Sequence, residues 1–410
     1  MVKCCQMRKS KNNRTNPLFF QFPFMVKHGM GVPLLVLFFL FPPVTAQTGQ
    51  NNLLFQGYLT NMQSVMFQHI DDSWINDNLL HNRLQLKWYA NDYFTTDIEV
   101  RNRFLYGKSM EIPGYKDTYT RDQGWADLSF TLTSSTSYLL ESTIDRAWAN
   151  FRFGNWELRA GRQRINWGKT MVWNPNDIFN AYSFFDFDYP EKPGCDALRI
   201  QYYTGVSSNL EAGVKVNSDK KITAAGMLRI NPGMYDLQFF GGVLNSRDLV
   251  AGTGWSGNIK NAGFSGELTL FQPRDSSLGK GGDIMCSVST DYTFRNSLFV
   301  QMEFLYSSVN YNYLNFTEFY FLPLTVKEIT FTDFNIFGQV SYPFTPLFSG
   351  TFSGIYYPSI KGFFMGPSLS CNIQDNLDIS FFMQYFNGEF NNVAGRQKLT
   401  LAFLRLKWSF

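Results

Sequence analysis

Between Tyr93 and Phe104 the chain alternates residue by residue: Tyr93, Thr95, Asp97, Glu99, Arg101 and Arg103 fall on one side, Phe94, Thr96, Ile98, Val100, Asn102 and Phe104 on the other. A two-residue period marks an extended strand, because its successive side chains point to opposite faces. The same period recurs at Arg83–Trp88 and Asn376–Phe381. Read along the chain, it predicts strands at 53–60, 80–90, 93–105, 143–153, 155–165, 196–204, 208–217, 223–231, 233–244, 247–257, 261–271, 282–294, 297–307, 330–341, 346–357, 362–373, 376–387 and 396–410.

The connections between these strands sort by length. One set is tight: Asn91-Asp92, Gly154-Asn155, Gly205-Val206-Ser207, Asn231-Pro232-Gly233, Asn258 to Lys260, Arg295-Asn296, Tyr342 to Thr345 and Gln374-Asp375. The other set holds every long connection, at 61–79, 106–142, 166–195, 272–281, 308–329 and 388–395. Short turns at one end and long loops at the other predict an all-β transmembrane antiparallel β-barrel of about 18 strands (roughly 16–18), with periplasmic turns and extracellular loops. A sandwich could also carry charges on one face of each strand, but it would not need so many large apolar residues on the other. Leu404, Leu406, Trp408 and Phe410 share one face of the last strand, opposite Arg405, Lys407 and Ser409.

Composition fits the barrel. Aromatic residues make up 18% and charged residues 17%, the latter below the ~25% of soluble domains. After residue 46 no segment offers the ~20 continuous apolar residues of a membrane helix. A barrel spreads its apolar surface over alternate residues instead. At the N-terminus, Lys27 and His28 precede the apolar run Val32–Phe41, and Val44-Thr45-Ala46 is a small-residue cleavage site, so residues 1–46 are expected to be a basic extension plus secretory signal peptide. Residues 47–410 are then one outer-membrane barrel domain. Loss of Lys3, Arg8, Lys9, Lys11, Arg14 and Lys27 takes the 36 basic residues to 30 against 33 acidic ones, so the basic character of the whole chain implies no nucleic-acid partner. Cys195, Cys286 and Cys371 remain, an odd set without metal-ligand spacing.

The stretch from Asp145 to Gly205 holds the most distinctive sequence. It contains Gly161-Arg162-Gln163-Arg164-Ile165-Asn166-Trp167-Gly168, then Trp173-Asn174-Pro175-Asn176-Asp177, then Pro193-Gly194-Cys195-Asp196-Ala197-Leu198-Arg199. These three runs, in this order, resemble outer-membrane porins grouped around alginate-export-type barrels and their uncharacterised relatives. The resemblance implies a porin-like barrel; its motif is partial and carries no cargo. A terminal Phe such as Phe410 looks like the signal that addresses such barrels to the barrel-insertion machinery.

If the apolar positions face lipid, Arg83, Lys87, Arg101, Arg103, Arg146, Arg152, Arg159 and Arg199 line the lumen, since an Arg or Lys facing lipid at the midplane costs ~2–4 kcal/mol. Arg162 and Arg164 share parity with outward Trp156, Leu158 and Ala160, and a bulge at Gly161 is expected to turn them inward. Such a wall either filters small anionic solutes or pairs with Asp97, Glu99, Asp145 and Glu157 across strands. The loop after Gly168 gathers Trp173, Asn174, Asp177, Asp186, Asp188 and Glu191 among aromatics, and is expected to fold inward as a constriction. There Asp186 and Asp188 should meet Arg159, Arg162 and Arg164. The acidic spacing matches no calcium loop, so no metal or cofactor is expected. With His69 and His81 as the only histidines after residue 46, an enzyme is not expected. The predicted function is a monomeric or homotrimeric outer-membrane channel for small hydrophilic solutes; the alternative is a non-conducting barrel that exports, assembles or anchors a surface polysaccharide.

Overall fold

The computed structural model describes residues 52–186, 188–275, 281–311, 316, 324–390 and 395–410. The expected extension and signal peptide at 1–46 lie outside the described residues, as do parts of the predicted loops 272–281, 308–329 and 388–395. The strands are β1 (Leu53–Phe67), β2 (Ile75–Asn91), β3 (Phe94–Gly107), β4 (Ser129–Ser135), β5 (Tyr138–Phe153), β6 (Trp156–Gln163), β7 (Cys195–Tyr203), β8 (Asn209–Val216), β9 (Ile222–Ile230) and β10 (Asp236–Leu244). They continue as β11 (Asp248–Ile259), β12 (Ala262–Pro273), β13 (Asp283–Thr293), β14 (Phe299–Ser307), β15 (Phe334–Thr345), β16 (Phe348–Tyr357), β17 (Gly362–Gln374), β18 (Leu377–Glu389) and β19 (Arg396–Ser409).

Eighteen of them form a closed antiparallel barrel, sealed by β1 against β19 from Tyr58↔Ser409 to Phe67↔Thr400. The nineteenth, β4, pairs with β5 while the ring itself passes from β3 to β5. All eighteen predicted strands are present. β4 was not predicted, and β1 and β2 run on through most of the predicted loop 61–79, leaving 68–74 as the connection.

Alternation works as the sequence implies, inverted relative to a soluble protein. Inward positions are polar and buried (Thr60, Asp97, Gln238, Gln301), and outward positions are apolar and exposed (Leu86, Ile98, Phe239, Leu404). Outward aromatics collect near the short-turn end, where Trp88–Phe94, Phe94–Phe151, Trp156–Tyr202, Tyr342–Phe344 and Trp408–Phe410 are ring neighbours. Such a girdle marks a membrane–water boundary in transmembrane barrels.

The bulge expected at Gly161 is not there. β6 pairs with β5 and with β7 through Gly161 without a shift; Gly161 instead has φ +113°, and a Cβ there would run into the carbonyl of Ala147. The register shift lies in β5, opposite Glu99 and Val100, where Asp145 is the extra residue. Two residues against one bring Asp145 and Arg146 side by side, both buried.

Candidate functional site: the inward segment and the charged wall

Residues 164–194 leave the wall between β6 and β7 and pack within the ring. Ile165, Trp167, Trp173, Ile178, Phe179 and Phe185 join one buried cluster with residues of strands right around the barrel, among them Phe240, Phe271, Phe337, Phe364 and Phe403. Aromatics this dense are stable only when removed from water, and burial of each is worth roughly 1.5–3 kcal/mol.

A chain crossing a barrel without secondary structure must still satisfy its peptide groups. Two carboxylates on the far wall do this. Glu267 of β12 accepts from the backbone N–H groups of Lys169, of Thr170 at 2.9 Å and of Asn176 at 2.8 Å. Glu303 of β14 accepts from those of Met171 and Val172 at 3.1 Å and Trp173 at 2.8 Å. An ionised carboxylate is acceptor-only with about four lone-pair sites, which suits it to bind several amides at once. The same segment is held by Trp167 Nε1 donating to Glu211 at 2.8 Å, and by Gln238 and Gln384 donating to the carbonyls of Trp167 and Phe185 at 2.6 and 3.0 Å. Asn174 Nδ2 donates to the Tyr182 hydroxyl at 2.9 Å. Asp177 is fully buried, 3.4 Å from Arg164, and burial pushes its carboxyl up to about 7 against the pull of that arginine.

The other side of the segment faces β1–β5. Tyr58 donates to Glu191 at 3.1 Å, Arg146 donates to the carbonyls of Glu191 and Lys192 at 3.0 and 2.6 Å, and the Arg101 guanidinium lies 3.9 Å from the Tyr189 ring centre. Asp188 is 3.5 Å from His81, and burial with the neighbouring Asp186 charge raises it to about 7.

The basic wall is largely matched by acids. Arg83 pairs with Glu99 and, at 2.5 Å, with Asp145; Arg101 is 3.4 Å from Asp145; Arg103 is 2.9 Å from Glu141. Arg152 and Arg159 share Glu157 at 3.2 Å, and Arg199 pairs with Glu211 at 2.8 Å. Lys87 lies 4.9 Å from the Tyr89 ring centre. Asp186 and Asp188 do not meet Arg159, Arg162 and Arg164 as expected. Arg159 is held lower on β6 by Glu157 and Asn150, Arg162 by Asp122 and Asp196, and Arg164 by Asp177. A cavity of about 590 Å³ remains between the segment and the wall, lined by Arg101, Arg103, Tyr119, Asp145, Asp186 and Tyr189 among others.

Sequence reading missed Glu267 and Glu303. Each is the only charge of β12 and β14, Ala262–Pro273 and Phe299–Ser307, and an isolated acid on the polar parity of an otherwise uncharged strand is the signal that could have found them.

The chain matches no family model and no curated protein. Among solved structures it is similar to OccK9 (OpdG) of Pseudomonas aeruginosa, with TM-score 0.57 and 10% identity over 88% of this chain and 99% of that one. It is also similar to the outer membrane protein opdK of P. aeruginosa (TM-score 0.56, 10% identity, 87% and 98% covered) and to OccAB3 of Acinetobacter baumannii (TM-score 0.55, 11% identity, 88% and 99% covered). The likeness covers nearly the whole barrel and is one of fold.

Proposed function

We propose that this protein is an outer-membrane channel for small hydrophilic solutes whose inward segment 164–194 sets the constriction. The observation that carries the reading is the asymmetry of the lumen. The segment is pinned by its backbone to Glu267 and Glu303 on one wall, and leaves a cleft with charged walls along β2–β5 on the other. The apolar outward band and the aromatic girdle suit outer-membrane lipid, and the similar solved structures share the barrel. Because most wall arginines have a carboxylate partner, and Lys87 faces Asp97 across the β2–β3 ladder, the anion preference expected of the wall is weak. The position of Phe410 beside the outward face of β19 is compatible with recognition by the barrel-insertion machinery.

Single-channel recording of the purified barrel tests the reading. Deletion of 178–190 should raise conductance, and an unchanged value would remove the segment from the conduction path. A folded barrel that passes no ions would favour the non-conducting reading, with the cleft handling a surface glycan.

A further inference from the structure

The diversion of 164–194 leaves a gap in the barrel wall, and a different part of the chain fills it. β6 has 8 residues and β7 has 9, against 16 in β5. Beyond Arg146 the edge of β5 that β6 would have covered is taken by β4, from Ser129↔Thr143 to Ser135↔Tyr138. The preceding residues continue across the tops of β6 and β7 to the β8–β9 turn. There Gly124 bridges Asn217, and Ser218 N donates to the Gln123 carbonyl at 3.1 Å.

One side chain clasps this patch. Arg162 donates through Nε to Asp196 (2.7 Å), through Nη1 to Asp122 (2.6 Å) and the Ile144 carbonyl (3.3 Å), and through Nη2 to the Ala126 carbonyl (2.6 Å) and Asp196 (3.0 Å). All five donors of the guanidinium are used, and they join β5, β6, β7 and the patch. Gly124 passes so close that a Cβ there would overlap Arg162. The patch exposes three large apolar side chains, Trp125 at 68%, Phe130 at 50% and Leu132 at 61%, among exposed Asp127, Thr131 and Thr133. Its inner side borders the cavity, which is lined by Asp122, Gly124 and Arg162 as well as by Arg101 and Arg103.

We propose that 121–135 is a lateral port between the cavity and the outer leaflet, latched by Arg162, and that it admits a single-chain amphiphile with an anionic head. The chemistry comes from the cavity. Leu105, Met110 and Leu139, with Leu79, Tyr115 and Tyr119 packed against them, form an apolar cluster beside it, while the buried Nε of Arg103 makes no hydrogen bond within the described protein and that of Arg101 lies 3.4 Å from Asp145. Asp77, Asp117, Asp122, Asp145, Asp186 and Asp188 share the cavity with Arg101, Arg103, Arg121 and Arg162, so any anion it takes must carry a single charge placed beside Arg103, and a carboxylate suits it better than a phosphate dianion. Apolar material can reach the cavity from the membrane plane only where the wall is not a continuous strand ladder, and the seam is that place.

The test uses the full barrel in liposomes containing a diazirine-bearing palmitate analogue, irradiated and mapped by mass spectrometry. Wild-type protein should carry label on Met110 or Tyr119. Gln123 and Ser218 are opposed across an antiparallel bridge, where Cα atoms lie about 5.5 Å apart, within disulfide reach. The pair Gln123→Cys/Ser218→Cys, once oxidised, should cut cavity labelling several-fold and recover it on reduction, with ion conductance and labelling of outward strand faces unchanged. Arg162→Gln should raise cavity labelling. Label confined to outward faces, or cavity label indifferent to the lock, overturns the port. Absence of conductance would strike at the channel reading and leave this result standing.

Discussion

Replacing Glu303 by Gln keeps the shape of the side chain and changes what it can do. In the native barrel its two oxygens accept three amides, those of Met171, Val172 and Trp173, together with the Ser287 hydroxyl at 3.1 Å. The amide side chain offers one oxygen, and its NH₂ faces donors. One or two charge-assisted bonds are lost, each worth about 1.5–3 kcal/mol, and some relaxation is expected, so local anchoring should weaken by about 2–4 kcal/mol. The apolar anchors Trp167, Ile178, Phe179 and Phe185 together contribute about 6–12 kcal/mol, so the segment stays inside and only its turn loosens. Hydrogen exchange reads this directly, since each 1.4 kcal/mol of local opening energy is about tenfold in rate. Amides 171–173 should exchange roughly 30- to 700-fold faster in Glu303→Gln, with the strands unaffected. Glu267→Gln should act on 169, 170 and 176 instead. Unchanged protection at 171–173, or acceleration spread evenly over the barrel, would refute the idea that these carboxylates hold the segment.

Three further outcomes are expected. Asp177 is held at about 7 by burial; its folded value lies above the unfolded one, so its neutral form is favoured in place and anchoring weakens as pH rises through 7. Current fluctuations of the open channel should grow from pH 6 to pH 8, and Asp177→Asn should flatten that profile. Trp167→Phe removes the bond to Glu211, which keeps Arg199 and Gln201, and trims a buried ring packed on Phe179 and Phe240, and should cost about 2 kcal/mol; Trp167→Ala opens a larger cavity and should cost about 3–5 kcal/mol, both read as the shift in heat-modified gel mobility. An epitope placed at 112–116 should be reached by antibody on intact cells, whereas one at Gly154 or Gln374 should not; the reverse would invert the membrane orientation.

Much of the wall was legible because alternation is a local property. Arg83 to Trp88 reads as a strand whatever surrounds it, and the turns at Gly154-Asn155 and Gln374-Asp375 end the strands where the structure ends them. β4 was missed although Phe130 and Leu132 alternate with Ser129, Thr131 and Thr133; the run is only seven residues long, lies inside a long loop, and is held as a strand only by the unmatched edge of β5. The far ends of β1 and β2 were lost for another reason: in β1 the pattern inverts, with Met62 buried in the inner cluster between Asn61 and Gln63, and in β2 Asn76, Asp77 and Asn78 are polar in succession. The inward segment announced itself through its aromatics. Its anchors did not, because Glu267 and Glu303 lie 91 to 132 residues from the amides they bind. The bulge at Asp145 was equally silent, since an extra residue in a helical-like conformation needs no glycine, and the glycine that drew attention, Gly161, serves a close approach instead.

The seal of the ring joins its two most distant strands. Gly57 and Phe410 exchange both backbone hydrogen bonds at 2.9 Å, whereas most other ladders join strands that follow one another in sequence. Closing a chain of some 350 residues costs about 2.5 kcal/mol more in entropy than closing a hairpin of about 20, because the cost rises only with the logarithm of length. The thermodynamic toll of going round is therefore small, and the burden is kinetic. Hairpins can zip one after another, but the sheet they make keeps two raw edges, β1 and β19, until the last of them arrives. The species at risk of sticking to its neighbours is this nearly finished ribbon, and a single late encounter between its first and last strands ends the danger.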